Sequence, residues 1–415
     1  MSTDNKSTQR QLMLAINIFS VVFLYWFITQ VTRAYIGLAY PDVSPTTVSS
    51  LISLPNLFGL ISSRIIGPIA IKVKKGPLAG VAIASVVLYC LIFYVNGKAH
   101  GPFGIYYIGC VLAGIAQGTH AALLNGLLGL HFQAEERGRR IANYNVWLNI
   151  GALIVLQVSG IIAARNDGAQ WYNAYLLGIF PLVGCIIFLA MTSKIHADVP
   201  TIVQTENPAA VQRGRISDIP KKAFPLIIAL ALGHACFYIA QFAFNTNVSN
   251  YIITEYNLGT SAQAGTASSL VRLSMIIFTA LFPVFKKVLK GWMVACGYLC
   301  AAIGLTIMMV GKSLPAAFIC AIFIGAATGM SFSAVYEKAT SFVPALCVSL
   351  GSAIVTGITN IGSSTSTYIM AAISNPFGGS MPVKFVVGIV FALIATLIAI
   401  YMFVIRKDQP YQEGE

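Results

Sequence analysis

The chain has 415 residues, of which 57% are hydrophobic and only 9% are Asp, Glu, Lys or Arg. A soluble domain carries roughly 25% charged residues, so this composition excludes an ordinary globular protein. The mean hydropathy of +0.78 and the many apolar runs of bilayer-spanning length indicate an all-α polytopic membrane protein. The formal net charge of +13 is better explained by membrane topology than by nucleic acid, and no nucleic-acid partner is expected.

Twelve apolar helical segments are predicted, separated by Pro, Gly, Asn or charged residues. They lie at about 11–38, 46–71, 77–96, 103–131, 141–164, 172–192, 223–252, 261–285, 291–311, 315–337, 346–374 and 382–405. The first run continues well past signal-peptide length, which favours a retained span. The longest polar interruption predicts an N-terminal six-helix bundle (1–192), a cytoplasmic linker (193–222) and a C-terminal six-helix bundle (223–415).

The basic residues predict the orientation of these spans, because Lys and Arg concentrate in cytoplasmic loops. Only four of the 26 fall in segments that this topology places outside, namely Lys98, Arg165, Lys312 and Lys384. Three more lie within spans, and the others lie on the cytoplasmic side. We therefore expect both termini to be cytoplasmic. The protein is expected to be a monomer in the lipid bilayer of the cell (inner or plasma) membrane.

Three short motifs recur in corresponding places of the two halves. GPIAIKVKKG (67–76) matches FPVFKKVLKG (282–291), GIAQG (114–118) matches GAATG (325–329), and NIG occurs at 149–151 and at 360–362. In register together, these matches indicate two duplicated, pseudo-symmetric six-helix bundles. In such proteins the substrate site is expected near the midplane, where the halves meet.

The twelve spans, the division into two sixes and the basic loops after spans 2 and 8 resemble the major facilitator superfamily over essentially the whole chain. The segment HFQAEERGRR (131–140) is similar to the acidic-plus-RGR loop of that family. The resemblance implies the major facilitator fold and solute transport by alternating access. It also implies gating by basic residues of the cytoplasmic loops, namely Lys72, Lys75, Arg137, Arg139 and Lys287.

Three arginines, Arg33, Arg64 and Arg272, lie inside predicted spans, where an ionised residue costs at least about 2.5–3.5 kcal/mol. The sequence has no Asp or Glu at midspan, so an anionic substrate would supply the counter-charge. Arg272 is placed near mid-membrane and is predicted to line a cavity. Its helical stripe is small or polar: Gly265, Ser268, Ser269 and Thr279.

Arg33 is the second candidate for contact with substrate, and snorkelling to the outer interface is the alternative. Arg64 lies closer to the inner end of its span and is interpreted as snorkelling or as a gate contact. The stripe of Arg33 is typical of an aromatic and polar cavity wall, with Tyr25, Trp26, Thr29 and Gln30.

Polar residues at helical spacing in other spans are predicted to shape the same cavity. These are Gln117, His120, Tyr238, Gln241, Asn245 and Asn360. For any single residue the alternative is a structural hydrogen bond between helices, which contributes about 0.6 kcal/mol to their association. His120 is also near midspan and could titrate.

Arg33 resembles the span-1 arginine of superfamily transporters of organic phosphates and other organic anions. Arg272 resembles the span-8 arginine of oxalate/formate antiporters and monocarboxylate transporters. The partner residues of those families, a span-11 lysine and an Asp one turn before the arginine, are absent here, and Ser268 stands at the second position. The resemblance thus implies a small organic anion, a carboxylate, without naming it.

The sequence has no midspan carboxylate to carry protons, which favours anion exchange or facilitated diffusion. Proton symport through His120 or Glu337 is the runner-up, and an inorganic anion or a neutral solute is a further alternative. A transporter-like receptor or scaffold is disfavoured by the short loops. An enzyme is not expected, nor is a metal or other cofactor, because no Walker-type loop, nucleophile motif or metal-ligand spacing appears.

Overall fold

The computed structural model describes residues 3–70, 73–132, 134–199, 216–344 and 347–406, and no strand occurs in these ranges. Helices dominate because a backbone inside lipid must satisfy its own hydrogen bonds. The helices up to residue 199 are α1 Thr3–Val21, a 3₁₀ turn Tyr25–Phe27, α2 Ile28–Ala39, α3 Pro45–Ala70, α4 Lys75–Ala99, α5 Ile105–His131, α6 Ala134–Ala163, 3₁₀ turns Arg165–Gly168 and Trp171–Ile179, and α7 Phe180–Lys194.

The remaining helices follow the same pattern of long segments joined by short turns. They are a 3₁₀ turn Ile216–Asp218, α8 Ala223–Asn245, α9 Val248–Asn250, a π-helical turn Tyr251–Glu255, α10 Ser261–Ala280, α11 Phe282–Leu289, a 3₁₀ turn Lys290–Trp292, α12 Met293–Gly311, α13 Leu314–Ser341, α14 Val348–Ser374, a 3₁₀ turn Asn375–Phe377, α15 Met381–Ala399 and a π-helical turn Ile400–Ile405.

Ten helical segments of the described residues are long and apolar enough to cross a membrane. Two other predicted spans coincide with α10 and α14, whose many Ser, Thr and Gly residues make them less apolar. The predicted span 261–285 is also shorter than expected, since its helix ends at Ala280 and α11 begins anew with Pro283 in its first turn. Proline cannot donate to the preceding turn, which explains the break.

The chain divides into two compact units. The first unit comprises Met1–Thr205 together with Gly259–Ser269, and the second comprises Glu206–Leu258 together with Leu270–Glu415. The first turns of α10 thus group with the first unit, and the rest of that helix groups with the second. Each unit is described separately below.

In the first unit, the glycines of GIAQG let α5 approach α3 closely. A Cβ at Gly114 would lie 2.2 Å from Cβ of Phe58, and one at Gly118 would lie 2.2 Å from Oγ of Ser62. The Ser62 hydroxyl also donates to the Gly114 carbonyl at 2.6 Å. Small residues at such contacts allow backbones to meet and are a main source of helix association in lipid.

In the second unit, the glycines of GAATG do the same for α13 and α10. A Cβ at Gly325 would lie 2.3 Å from the Val271 carbonyl oxygen, and one at Gly329 would lie 2.8 Å from Cβ of Phe278. The Ser274 hydroxyl donates to a carbonyl of α13 at 2.7 Å. The motif repeated in the sequence therefore has the same packing role in both units.

The glycines of the two NIG motifs also correspond. Gly151 of α6 packs on the backbone of α1, where a Cβ would lie 1.9 Å from the Val21 carbonyl oxygen. Gly362 of α14 packs on the backbone of α8, where a Cβ would lie 3.0 Å from the Ala235 carbonyl oxygen. The first helix of each unit is thus fastened to the fifth span of that unit by a matching glycine, as expected for pseudo-symmetric bundles.

Candidate functional site

The first span is interrupted close to the residues predicted to line the cavity. Helix α1 ends at Val21 and α2 begins at Ile28, whereas the sequence predicted one continuous helix. Tyr25 and Trp26 lie in the intervening 3₁₀ turn and are buried. The Trp26 carbonyl is satisfied by the Tyr89 hydroxyl at 3.2 Å, so a side chain replaces part of the missing helical bonding.

Arg33 lies in α2 and is enclosed by α3. Its Nε and Nη2 donate to the Ser49 hydroxyl at 3.0 and 2.7 Å, and Nη2 also donates to the Pro45 carbonyl at 3.0 Å. The side chain is only 2% exposed. Gln30, one turn earlier on the same helix, is also buried. In this arrangement, Arg33 fastens α2 to the first turns of α3.

Removing the Ser49 hydroxyl should reveal this fastening role. Ser49→Ala leaves two guanidinium donors without that acceptor, so we expect a loss of about 1–3 kcal/mol of stability. Thermal unfolding of the purified protein in detergent measures the change. Ser193→Ala is the control, because Ser193 lies exposed in the last turn of α7, away from Arg33. Equal unfolding temperatures for both variants would contradict this role of Arg33.

His120 and Gln117 lie one turn apart on α5. The His120 ring is parallel to the Phe23 ring, with centroids 3.9 Å apart, and edge-on to Tyr144 at 6.4 Å. His120 Nε2 and Gln117 Nε2 are both buried without a hydrogen-bond partner among the described residues. This face of α5 therefore presents two polar atoms that a substrate or water could satisfy.

Two of the residues predicted to gate the transporter cap helix C-termini within the first unit. Lys75 Nζ donates to the Ala70 carbonyl at the end of α3 at 2.6 Å. Arg137 donates to the Phe132 and Gly129 carbonyls at the end of α5, at 2.9 and 3.1 Å. Cations stabilise these helix ends. Arg139 and Lys287 are exposed, and Lys72 lies outside the described residues.

Small residues of the α10 stripe make helix contacts within the first unit. The Ser261 hydroxyl donates to the Gly160 carbonyl at 2.7 Å, and the Ser269 hydroxyl donates to the Leu153 carbonyl at 3.0 Å. A Cβ at Gly265 would lie 3.4 Å from Cα of Gly160. The sequence placed Gly265 and Ser269 on a polar cavity stripe, but they hold the first turns of α10 against α6.

The polar stripe of α8 lies in the second unit and is mostly buried. Gln241 Nε2 donates to the Thr328 hydroxyl at 3.3 Å, while its Oε1 is buried without a hydrogen-bond partner among the described residues. Asn245, one turn further, is also buried. At the other end, His234 is fully buried, and its Nδ1 is 2.8 Å from the Tyr298 hydroxyl.

Arg272 and Tyr238 are brought together in the second unit. The Arg272 guanidinium lies within electrostatic range of the Tyr238 hydroxyl of α8. Both side chains keep some accessible surface, in contrast to the enclosed Arg33. Asn360 of α14 is partly accessible as well. A cation with a neighbouring hydroxyl and accessible surface can bind a carboxylate by charge-assisted hydrogen bonds.

Two aromatic residues near this pair were missed by sequence reasoning. Phe332 and Tyr336 of α13 pack on each other with ring centroids 4.7 Å apart, and each lies 6.3 Å from the His234 ring. The Tyr336 hydroxyl is 2.9 Å from the Thr356 hydroxyl of α14. Aromatic residues in an apolar segment carry no signal that separates a cavity wall from a lipid-facing surface. Phe332 and Tyr336 follow Thr328 of the GAATG motif by four and eight residues, and this helical spacing could have placed them on the same face of α13 as Thr328.

The fold and these side chains agree with the comparison to known families. A family profile described as Major Facilitator Superfamily matches residues 12–290, which is more than half of the chain. The chain belongs to the Major Facilitator Superfamily. It is a multi-pass membrane transporter and not an enzyme.

Solved structures of transporters share the fold. The peptide transporter POT in complex with sulfate has a TM-score of 0.74 and 14% identity, with 96% of each chain covered. A bacterial homolog of the human lysosomal transporter Spinster, in an inward-facing and unoccupied conformation, has a TM-score of 0.72 and 14% identity, with 100% of each chain covered. At such identities the similarity shows the fold alone. No curated protein matches the sequence significantly.

Proposed function

We propose that this transporter carries a small organic anion, a carboxylate, by alternating access of its two bundles. The observation that carries the proposal is Arg272, a partly accessible arginine in the middle of α10 that lies within electrostatic range of the Tyr238 hydroxyl. A charge at that depth is costly, so it marks a functional position. Planar guanidinium groups recognise carboxylates with two parallel hydrogen bonds, which favours this anion class.

The distribution of acidic residues supports the same sign of substrate. Along the sequence they fall in loops or near span ends, and Glu337, the acidic alternative for proton coupling, forms an ion pair with Lys286 at 2.5 Å. A carrier without a protonatable carboxylate at midspan suits anion exchange. In exchange, the bound anion offsets the positive charge during reorientation, and the empty carrier resists the same step.

Counterflow in proteoliposomes tests the proposal. The protein is reconstituted into vesicles loaded with unlabelled acetate, lactate, oxalate or benzoate, and uptake of the labelled counterpart is followed. We expect uptake that requires an internal anion and does not require a pH gradient. Glucose and a dipeptide serve as neutral and zwitterionic controls, the dipeptide because POT neighbours of the same fold are peptide transporters.

Three results would contradict the proposal in different ways. Uptake of the neutral or zwitterionic control with no carboxylate uptake would reject the substrate class. Uptake of nitrate or sulfate alone would replace the organic anion by an inorganic one. Carboxylate uptake that collapses without a pH gradient would replace exchange by proton symport. The proposed orientation, with cytoplasmic termini in the cell membrane, and the monomeric state are tested separately by tag accessibility and by cross-linking.

His120 provides a specific test of exchange against symport. Its ring packs parallel to Phe23, so His120→Phe preserves the shape while removing the titratable group. Under anion exchange, we expect uptake by the variant, whatever its rate, to stay insensitive to external pH between about 5.5 and 7.5, the range in which a free histidine titrates. The Phe23→Leu variant changes the packing around His120 but keeps its titratable ring, and therefore controls for altered packing alone. A pH-driven uptake in the unmodified protein that disappears in His120→Phe, while counterflow at equal pH remains, would favour His120 as a proton carrier.

A further inference from the structure

We infer that the transported anion carries an aromatic ring, which rests on Phe332 and Tyr336 while its carboxylate meets Arg272. This inference rests on the proposed carboxylate transport and narrows the substrate to aromatic carboxylates. It uses the second unit alone, where α8, α10, α13 and α14 supply the side chains.

The first step places Phe332 on the inner face of α13. Gly325 and Gly329 of this helix pack against α10, and Thr328 accepts a hydrogen bond from Gln241 of α8. Phe332 follows Thr328 by one turn, so it faces the space between α8 and α10. Its side chain is 38% exposed. The other exposed apolar residues of this helix, Ile319 and Ile322, lie on a different side, so the free surface of the Phe332 ring belongs to the face it shares with Thr328 and is available to a ligand.

The second step connects this ring to the cation. Tyr238 lies edge-on to the His234 ring, with centroids 5.1 Å apart, and His234 in turn contacts Phe332 and Tyr336. Tyr238 also interacts electrostatically with both Tyr336 and Arg272. The ring contacts through His234 place Tyr238 near the aromatic pair, and the guanidinium lies within electrostatic range of Tyr238, so these groups belong to one region of the second unit.

The third step gives the length of the ligand. The Val271 carbonyl abuts Gly325, so Arg272 lies at the level of Gly325 along α13. Phe332 lies two turns further along α13, a rise of about 10 Å. Because this rise separates the backbone levels of the two residues, it favours a ring held some way from the carboxylate over one attached directly to it. A ring separated from the carboxylate by two or three carbons fits better.

The chemistry of the wall favours a ring over an alkyl chain. Phe332 and Tyr336 are tilted against each other, and the Tyr336 hydroxyl is held by Thr356 of α14. Such a fixed pair offers both a face and an edge to an incoming ring. The interaction free energy of an aromatic pair is larger than its buried apolar area alone would give. The site thus combines a cationic end with an aromatic end, complementary to an arylalkanoate.

The experiment compares two series of labelled or competing anions in counterflow. One series is benzoate, phenylacetate, 3-phenylpropionate and 4-phenylbutyrate, and the other is acetate, propionate and oxalate. We expect the longer phenyl acids to compete best. Phe332→Leu should weaken them roughly three- to tenfold and change acetate by less than twofold. Phe332→Tyr keeps the ring and should retain the preference.

Phe224→Leu is the matched control, since Phe224 in the first turn of α8 is exposed to a similar degree, at 40%. It should leave all affinities unchanged. Equal or better competition by acetate and oxalate in the unmodified protein would overturn the aromatic inference and leave carboxylate transport standing. The same holds if Phe332→Leu weakens both series alike. If no carboxylate of either series competes or is taken up, the proposed function fails together with the inference. Should Phe332→Leu fail to fold, the ligand series and Phe332→Tyr still decide the question.

Discussion

Replacing Arg272 by glutamine is expected to reduce carboxylate counterflow at least about thirtyfold and to leave the protein folded. Removing one member of a desolvated charge pair costs about 2–5 kcal/mol of binding, which corresponds to this loss. An ionised side chain inside a span is itself costly to the fold, so the variant is expected to remain folded. Arg272→Lys keeps the charge without the planar donor pair, so we expect about a tenfold loss. Counterflow rates and unfolding temperatures are measured on the same preparations.

Arg33→Gln is the matched comparison, since Arg33 is also an intramembrane arginine. Its three hydrogen bonds to Ser49 and Pro45 tie α2 to α3, so we expect its loss to lower the unfolding temperature. We therefore expect the Arg272 variant to lose transport and the Arg33 variant to lose stability. Counterflow at full rate in Arg272→Gln would remove Arg272 from the binding site. Lost transport in Arg33→Gln at unchanged stability would bring Arg33 into it.

Gly151→Ala is expected to destabilise the first unit by about 3 kcal/mol, the upper end of the range for overpacking. The added methyl would lie 1.9 Å from the Val21 carbonyl oxygen, a backbone atom that cannot rotate away. Helix α6 would have to move from α1. Several of the eight cysteines are buried, so a thiol-reactive fluorophore reports unfolding as the protein is heated. A lower unfolding temperature and a larger aggregated fraction on size exclusion are expected.

The control is Gly80→Ala in α4, where an added Cβ meets no atom within 4 Å. At such a site, alanine stabilises a helix by up to about 1 kcal/mol relative to glycine. Gly362→Ala should fall between the two, because its nearest carbonyl oxygen would be 3.0 Å away. The ordering Gly151, Gly362, Gly80 is thus a graded test. Equal stability of all three variants would refute the packing role of the repeated glycines.

The architecture could be predicted from the sequence because lipid imposes simple rules. Long apolar runs had to be helices, and the repeated GIAQG and NIG motifs located glycines that do pack alike in both units. Breaks without a proline were not predictable. The interruption between Val21 and Ile28 accompanies the stacking of Phe23 on His120, a contact between residues far apart in the chain.

Side-chain partners were the least predictable part of the site. Arg33 and Arg272 look alike in the sequence, since both are charges in apolar helices. Only the structure distinguishes the Ser49 and Pro45 acceptors around Arg33 from the Tyr238 hydroxyl near Arg272. Phe332 was not predicted, because a phenylalanine in an apolar span carries no functional signal until its neighbours on α8 are known.

The matching glycine contacts also bear on how this protein could acquire new specificities. The residues that assemble each bundle, such as Gly114 and Gly325, are not the ones proposed to hold the anion. Mutations at Phe332 or Arg272 therefore leave these glycine contacts in place. A designer could use the same freedom and reprogram selectivity in the second bundle while leaving the scaffold untouched.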